Sequence, residues 1–347
     1  MGMATVSRLA NWLVFKSGFI RKGLKGAVNL PLVKDLYNYV YYRRIQHVVA
    51  QREAIGLPNE TIIETTNRCN AKCIMCPRDA LTRPLGTMSQ ELYEKIVGEC
   101  SQIGIKAVTL HNFGEPLLDR WIIPRIQYAK QQGIPIVRMN TNASLLDAAT
   151  AVAILESGLD EITFSFDGFS SETYEMIRRN LKFQVVHDNI SRFLKLKKEG
   201  GYSKPATCIL LTTNQQNAHE IGLFRAAWQG QADRVAVSYA SNRSGAVENA
   251  RAVLIDRHAD ARPYPCIAPW VNLIVLWNGD VALCCADFDG EVLLGNAQEQ
   301  TLRELWNGKE MQRIRSLHLT GQLHQIRICA DCRFPRSKSF WWTQDFF

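Results

Sequence analysis

Between residues 60 and 241 the chain alternates short β-branched runs with amphipathic ones. The β-branched runs Thr61–Asn67, Ala107–Phe113, Ile136–Asn142, Glu161–Asp167, Ala206–Thr213 and Arg234–Ser241 are predicted strands. Between them Ser89–Cys100, Trp121–Gln132, Ala149–Ser157 and Gln216–Gln229 are predicted helices. Strands joined by helical crossovers imply parallel βα units. Most of these strands end in polar residues: Thr65-Thr66-Asn67, His111-Asn112, Asn140-Thr141-Asn142 and Asp167. In parallel α/β folds the carboxyl ends of the strands carry the site, although each such residue also reads as an ordinary turn residue.

Beyond the sixth strand the pattern changes. Residues 246–262 read as a charged linker. Two apolar runs, Val271–Trp277 and Val281–Cys285, flank Asn278-Gly279, which is a strong hairpin signal. A helix is predicted over Thr301–Ser316. The expected domains are a basic helical extension over 1–58, an α/β body over 59–245, the linker, and a small domain with a tail over 263–347.

Composition narrows the class. The chain has 347 residues, 46% hydrophobic and 21% charged, which excludes disorder, collagen-like repeats and a disulfide-dense mini-protein. The net charge of +8 is concentrated in residues 1–50, where Arg8, Lys16, Arg21, Lys22, Lys25, Lys34, Arg43 and Arg44 face the single acid Asp35. The nearly neutral body is not that of a nucleic-acid binder. No stretch reaches the ~20 apolar residues of a membrane span. The run Leu9–Phe15 is short, meets Lys16 and lacks a cleavage pattern, so a secretory signal is not expected. Ten cysteines without an export signal point to metal or redox chemistry in the cytoplasm. The arm also carries Trp12, Phe15, Phe19, Tyr37, Tyr39, Tyr41 and Tyr42. It fits either a helix lying peripherally on an anionic membrane surface or a helix packed on the body with a solvated basic edge.

Cys69, Cys73 and Cys76 form C-x3-C-x2-C directly after the first strand. A structural zinc site wants four ligands, whereas a [4Fe–4S] cluster bound by three cysteines leaves its fourth iron free for a substrate or cofactor. The spacing by itself leaves zinc open. Cys100 on a helix and Cys208 in a strand read as buried core.

The motif in this position resembles the cluster motif of the radical S-adenosylmethionine (SAM) superfamily. That resemblance implies an α/β fold with a partial (βα)6 TIM-like barrel. Gly114-Glu115-Pro116 after the second strand stands where the family has its GGE-type contact to the SAM amino group. Asn140-Thr141-Asn142 is similar to the family's TNG strand end, with Ala143 in place of glycine. Ser165-Phe166-Asp167-Gly168, Glu172-Thr173-Tyr174 and Ile177-Arg178 resemble the run whose Ser and Arg bind the SAM carboxylate and whose Asp lies near the ribose. Met75 resembles the apolar residue that packs on adenine. Cys266-x12-Gly279-x4-Cys284, closed by Cys329-Ala330-Asp331-Cys332, resembles a C-terminal SPASM/twitch domain, a β-hairpin plus helix. Four thiolates and no cysteine after Cys332 favour one auxiliary [4Fe–4S] cluster, with a zinc knuckle as the alternative. Cys285, next to a ligand and expected to point the other way on a strand, is left out.

Phe113–Leu118, Ser241–Gly245 and the Cys266–Cys332 block are most similar to the twitch-domain dehydrogenases that oxidise 2-deoxy-scyllo-inosamine. The resemblance runs from about residue 60 to 335, and the chain is longer than those enzymes between Asp160 and Tyr239. It implies an oxidoreductase in which a 5′-deoxyadenosyl radical abstracts hydrogen from a carbohydrate-like or cyclitol substrate. The auxiliary cluster would accept an electron, and a flavodoxin- or ferredoxin-type partner would supply external one-electron reduction. Arg243 would sit in the substrate cavity and orient the hydroxyl; it also reads as a solvated loop residue. A SPASM enzyme acting on a ribosomal peptide is the second reading. A zinc-stabilised binding protein is the third.

Overall fold

The computed structural model describes residues 56–241, 266–330 and 332, with a few positions between 46 and 53. Most of the 1–58 arm, the 246–262 linker, Arg243 and the tail after Cys332 lie outside the described residues. Residues 57–347 group as one compact unit.

The chain runs through β1 (Glu60–Ile63), the two-residue β2 (Lys72–Cys73), α1 (Gln90–Gln102), β3 (Ala107–Thr109), α2 (Ile122–Gln131) and β4 (Ile136–Thr141). It continues with α3 (Ala148–Glu156), β5 (Glu161–Ser165), α4 (Ser171–Ile177), β6 (Arg178–Arg179), α5 (Phe183–Glu199), β7 (Ala206–Thr213), α6 (Ile221–Trp228) and β8 (Arg234–Tyr239). The six strands β1, β3, β4, β5, β7 and β8 pair in that order, all parallel. Helices cross over between them, as in a partial (βα)6 barrel. Side-chain caps start several of these helices: Ser89 accepts from Leu92 N, Asp147 from Thr150 N and Ser170 from Thr173 N. Each helix then buries one stripe against the sheet, such as Leu92, Tyr93, Ile96, Val97 and Cys100 on α1. Cys208 is buried in β7.

The C-terminal part contains α7 (Ala268–Val271), β9 (Asn272–Val275), β10 (Asp280–Ala282), β11 (Leu293–Asn296), α8 (Leu302–Asn307), α9 (Lys309–Leu319) and α10 (Arg327–Ala330). The hairpin forms as expected, with β9 and β10 antiparallel. It does not stand apart, because β9 pairs in parallel with β1 and gives one nine-stranded sheet, β11-β10-β9-β1-β3-β4-β5-β7-β8. The single helix expected over Thr301–Ser316 is two helices. A capping box of Thr301 and Glu304 starts α8, and Gly308, with extended backbone, both ends α8 and starts α9.

Candidate active site

The strand-end residues converge at the carboxyl edge of the sheet, where they build the loop that holds the first three cysteines. At the end of β1, Thr66 Oγ1 donates to Gly86 O (2.8 Å), Asn67 Nδ2 donates to Pro84 O (2.8 Å), and Gly86 N donates to Asn67 Oδ1 (2.8 Å). The polar tail of the strand therefore closes the loop from 67 to 86 instead of extending the ladder. That is why β1 ends four residues before the predicted limit.

Within the loop, β2 pairs antiparallel with β6, setting Cys73 opposite Arg178, and Ile74 N donates to Ile177 O. Arg178 is no solvated helix residue. Its Nε and Nη2 reach Asp167 Oδ2 at 2.8 and 2.6 Å, while Nη1 lies 3.8 Å from Cys73 Sγ. Burial works against the guanidinium charge, but Asp167 beside it more than compensates and holds Arg178 firmly protonated. Asp167 is fully buried, and its other oxygen accepts from Thr212 N at 2.6 Å. Both of its oxygens are engaged, so in this arrangement it orients Arg178.

Glu115 is likewise turned inward. It accepts from Leu117 N (3.1 Å), Thr141 Oγ1 (2.6 Å) and Asn142 N (2.7 Å), and burial raises its pKa. Its carboxylate thus ties the end of β3 to the end of β4, which leaves the backbone of Gly114-Glu115-Pro116 as that segment's contact surface. Gly114 has φ +130°, and a Cβ there would stand 2.2 Å from Thr66 O, so only glycine lets this segment lie against the β1 end. At the end of β4, Asn142 Oδ1 accepts from Ser144, and Asn142 Nδ2 donates to Asn70 Oδ1 at 3.0 Å, beside Cys69. Ala143, where the family has glycine, takes φ +58°, and Asn189 Nδ2 holds its carbonyl at 2.8 Å. Asn140, Ser165 and Met75 are half-buried around the same edge.

Cys69, Cys73 and Cys76 form no disulfide and are partly exposed. Burial pushes the Cys69 thiol up and the Cys73 thiol up to about 12. Cys76 also raises both of them and Cys69 raises Cys73, while the Ala71 N–H and Arg78 oppose the rise at Cys69 and Arg178 opposes it at Cys73. Three soft donors that repel as thiolates and sit beside cations suit a multi-iron cluster with one iron left over.

In the C-terminal part Cys266, Cys284, Cys329 and Cys332 form no disulfide; Cys284 feels the charge of the other three, and Cys266 that of Cys329 and Cys332. Burial is the main cause of the raised thiols in this set, with Cys329 at about 12. Cys285 corrects an expectation. Strand β10 ends at Ala282, so alternation no longer governs it, and Cys285 lies within electrostatic reach of Cys266 and Cys284. Sequence reading missed His318, which is buried in α9 with its pKa pushed down to about 4 by burial. It also missed Glu64, which is fully buried with both oxygens on Arg83 at 2.5 and 2.6 Å. A lone carboxylate inside the apolar run Thr61–Asn67 was the available signal for the second.

Arg83 joins the two cysteine regions. Its Nε donates to Phe288 O (2.7 Å), and neighbouring Thr82 N and Arg83 N donate to Asp289 Oδ1 (2.8 and 3.0 Å). Next to it the Trp277 indole packs on bare backbone, since a Cβ on Gly86 would stand 2.4 Å from its ring.

The radical SAM superfamily model matches residues 63–221, and the SPASM model, an iron–sulfur cluster-binding domain, matches residues 266–333. A probable GTP 3′,8-cyclase of Methanothermobacter thermautotrophicus is 33% identical over 129 residues, 37% of this chain and 42% of the relative. The tungsten-containing aldehyde ferredoxin oxidoreductase cofactor-modifying protein of Pyrococcus furiosus is 23% identical over 160 residues, 46% of this chain and 45% of the relative. This chain thus spans less than half the length of these two curated relatives. Two solved structures share the fold. BtrN in complex with AdoMet and 2-DOIA has a TM-score of 0.56 at 18% identity, covering 80% of this chain and 93% of its own. Streptococcus suis SuiB bound to precursor peptide SuiA has a TM-score of 0.62 at 17% identity, covering 88% and 80%.

Proposed function

We propose that this chain is a radical SAM enzyme with a SPASM auxiliary-cluster domain, and that it oxidises a carbohydrate-like or cyclitol substrate by hydrogen-atom removal. The observation that carries this reading is the second thiol set: Cys266, Cys329 and Cys332 all lie within electrostatic reach of Cys284, and four thiols are enough to ligate one auxiliary [4Fe–4S] cluster completely. A fully ligated cluster has no iron open to substrate and suits electron transfer. Likeness to BtrN over 93% of that chain supports the cyclitol class.

Cys69, Cys73 and Cys76 would hold the SAM-binding [4Fe–4S] cluster, with Met75, Gly114, Glu115, Pro116, Asn140, Asn142, Ser165, Asp167 and Arg178 around SAM. When bound, that cluster and SAM supply the radical chemistry that breaks an unactivated C–H bond. The protein's own share is orientation. Asp167 fixes Arg178 so that one guanidinium nitrogen faces Cys73 and a fixed positive charge borders the site, suited to a carboxylate. Glu115 holds the ends of β3 and β4 in register. Arg243, outside the described residues, is proposed to orient the substrate hydroxyl; an arginine stays protonated and does not serve as the base. An external one-electron reductant of flavodoxin or ferredoxin type is part of the proposal, as is contact of the basic arm with an anionic membrane surface. No helix among the described residues is long and apolar enough to cross a membrane.

The test is a soluble Cys329→Ala/Cys332→Ala variant reduced with dithionite. We expect 5′-deoxyadenosine to persist while oxidised product falls at least tenfold further. An unchanged ratio of product to 5′-deoxyadenosine would remove the electron-acceptor role. Likeness to peptide-bound SuiB favours, as the second reading, modification of a ribosomal peptide. A short precursor-peptide gene beside this one would favour it, and sugar-modifying genes the first.

A further inference from the structure

His318 has a use that the proposed chemistry leaves unassigned. It is 2% exposed, and two separate segments fix its ring. Nδ1 accepts the backbone N–H of Cys266 at 3.2 Å, and Nε2 lies 3.7 Å from Cys329 Sγ. A ring nitrogen that accepts a hydrogen bond carries no proton, so this contact selects the tautomer protonated at Nε2. That N–H points at the sulfur. Trp270 stands edge-on to the ring, 6.1 Å between centroids at 85°, and limits its rotation.

We infer that His318 is a positioning residue of the auxiliary cluster, donating Nε2–H to Cys329 Sγ and raising the cluster's reduction potential. The inference rests on the reading that Cys266, Cys284, Cys329 and Cys332 hold that cluster. An electron added to an iron–sulfur cluster increases the negative charge on its cysteine sulfurs, so a fixed donor stabilises the reduced state more than the oxidised one. No bond at His318 forms or breaks: the cluster gains one electron and the proton stays on Nε2.

The test uses the full-length holoprotein and two variants, His318→Leu and His318→Gln. Iron is counted, and a dithionite titration is followed by electron paramagnetic resonance. The signal that SAM perturbs belongs to the barrel cluster, and the other to the auxiliary one. His318→Leu should keep about eight irons, lower the reduction equilibrium of the SAM-insensitive signal about tenfold (about 59 mV for one electron), and leave the SAM-sensitive signal unmoved. His318→Gln, which restores an N–H near the sulfur, should recover most of the shift. An unmoved midpoint in His318→Leu, or equal shifts in both variants, overturns the inference. Should His318→Leu fail to load iron, unsubstituted holoprotein labelled with 15N-histidine decides. Weak coupling of a histidine nitrogen to the auxiliary cluster supports the donor, while strong coupling of an iron-bound nitrogen, or none, overturns it. Unsubstituted protein with about four irons and no SAM-insensitive signal instead overturns the function reading and, with it, this inference.

Discussion

The two cysteine sites solve one problem by different means. Thiolates repel one another, and burial adds a desolvation cost. At the barrel site charge opposes part of that cost: Arg178 does so at Cys73, and Arg78 does so at Cys69 after the Ala71 backbone N–H. At the C-terminal site, among the described residues, the backbone N–H of Ala268 opposes the rise at Cys266, and His318 Nε2 lies 3.7 Å from Cys329 Sγ. The difference teaches that three ligands and four ligands need different surroundings. A site with an open coordination position needs charged groups at its rim to bind and orient a ligand. A closed site needs only donors.

The largest effect should come from removing the barrel thiols. A Cys69→Ala/Cys73→Ala/Cys76→Ala variant should form no detectable 5′-deoxyadenosine with dithionite, while the C-terminal set still binds about four irons. Loss of iron from both sites would show that they are not independent. The link between the sites comes next. Arg83→Ala leaves Glu64 buried without its partner, and we expect a loss of about 3–5 kcal/mol by denaturant titration. A loss below ~1 kcal/mol would mean that water reaches Glu64. Arg178→Ala should weaken SAM binding about tenfold to a hundredfold by calorimetry, with iron content near that of the unsubstituted protein; a charge-assisted contact is worth ~1.5–3 kcal/mol. Unchanged affinity would confine Arg178 to bracing Cys73. The smallest effect belongs to Ala143→Gly. Relief of the left-handed conformation at φ +58° should raise stability by about 0.5–1 kcal/mol, with SAM affinity unchanged.

What could be read along the chain follows from locality. The six β-branched runs and the Asn278-Gly279 turn are local signals, and each led to a strand or a hairpin. The cysteine spacings were legible for the same reason, because a loop that wraps a cluster must present its ligands within a few residues. Contacts between distant segments were not legible. Nothing in Asp167 or Arg178 alone announces that they pair. The pairing of β9 with β1 depends on which edge of the sheet remains open, which no periodicity encodes. Cys285 was misplaced because the alternation rule was carried past the end of β10.

The seat of β9 beside β1 also bears on how the protein is made. Strand β1 is synthesised about 210 residues before one of its two neighbours, β9, which arrives only with residues Asn272–Val275. Until then the Glu60–Ile63 edge offers unpaired amide and carbonyl groups, the template on which foreign strands dock. A pairing so distant in sequence slows folding and lengthens that exposure. Ending the chain at residue 241 would make the exposure permanent, so the isolated barrel should aggregate even though its own crossovers are intact. The C-terminal strand β9 thus covers an edge of β1 that the barrel strands leave open.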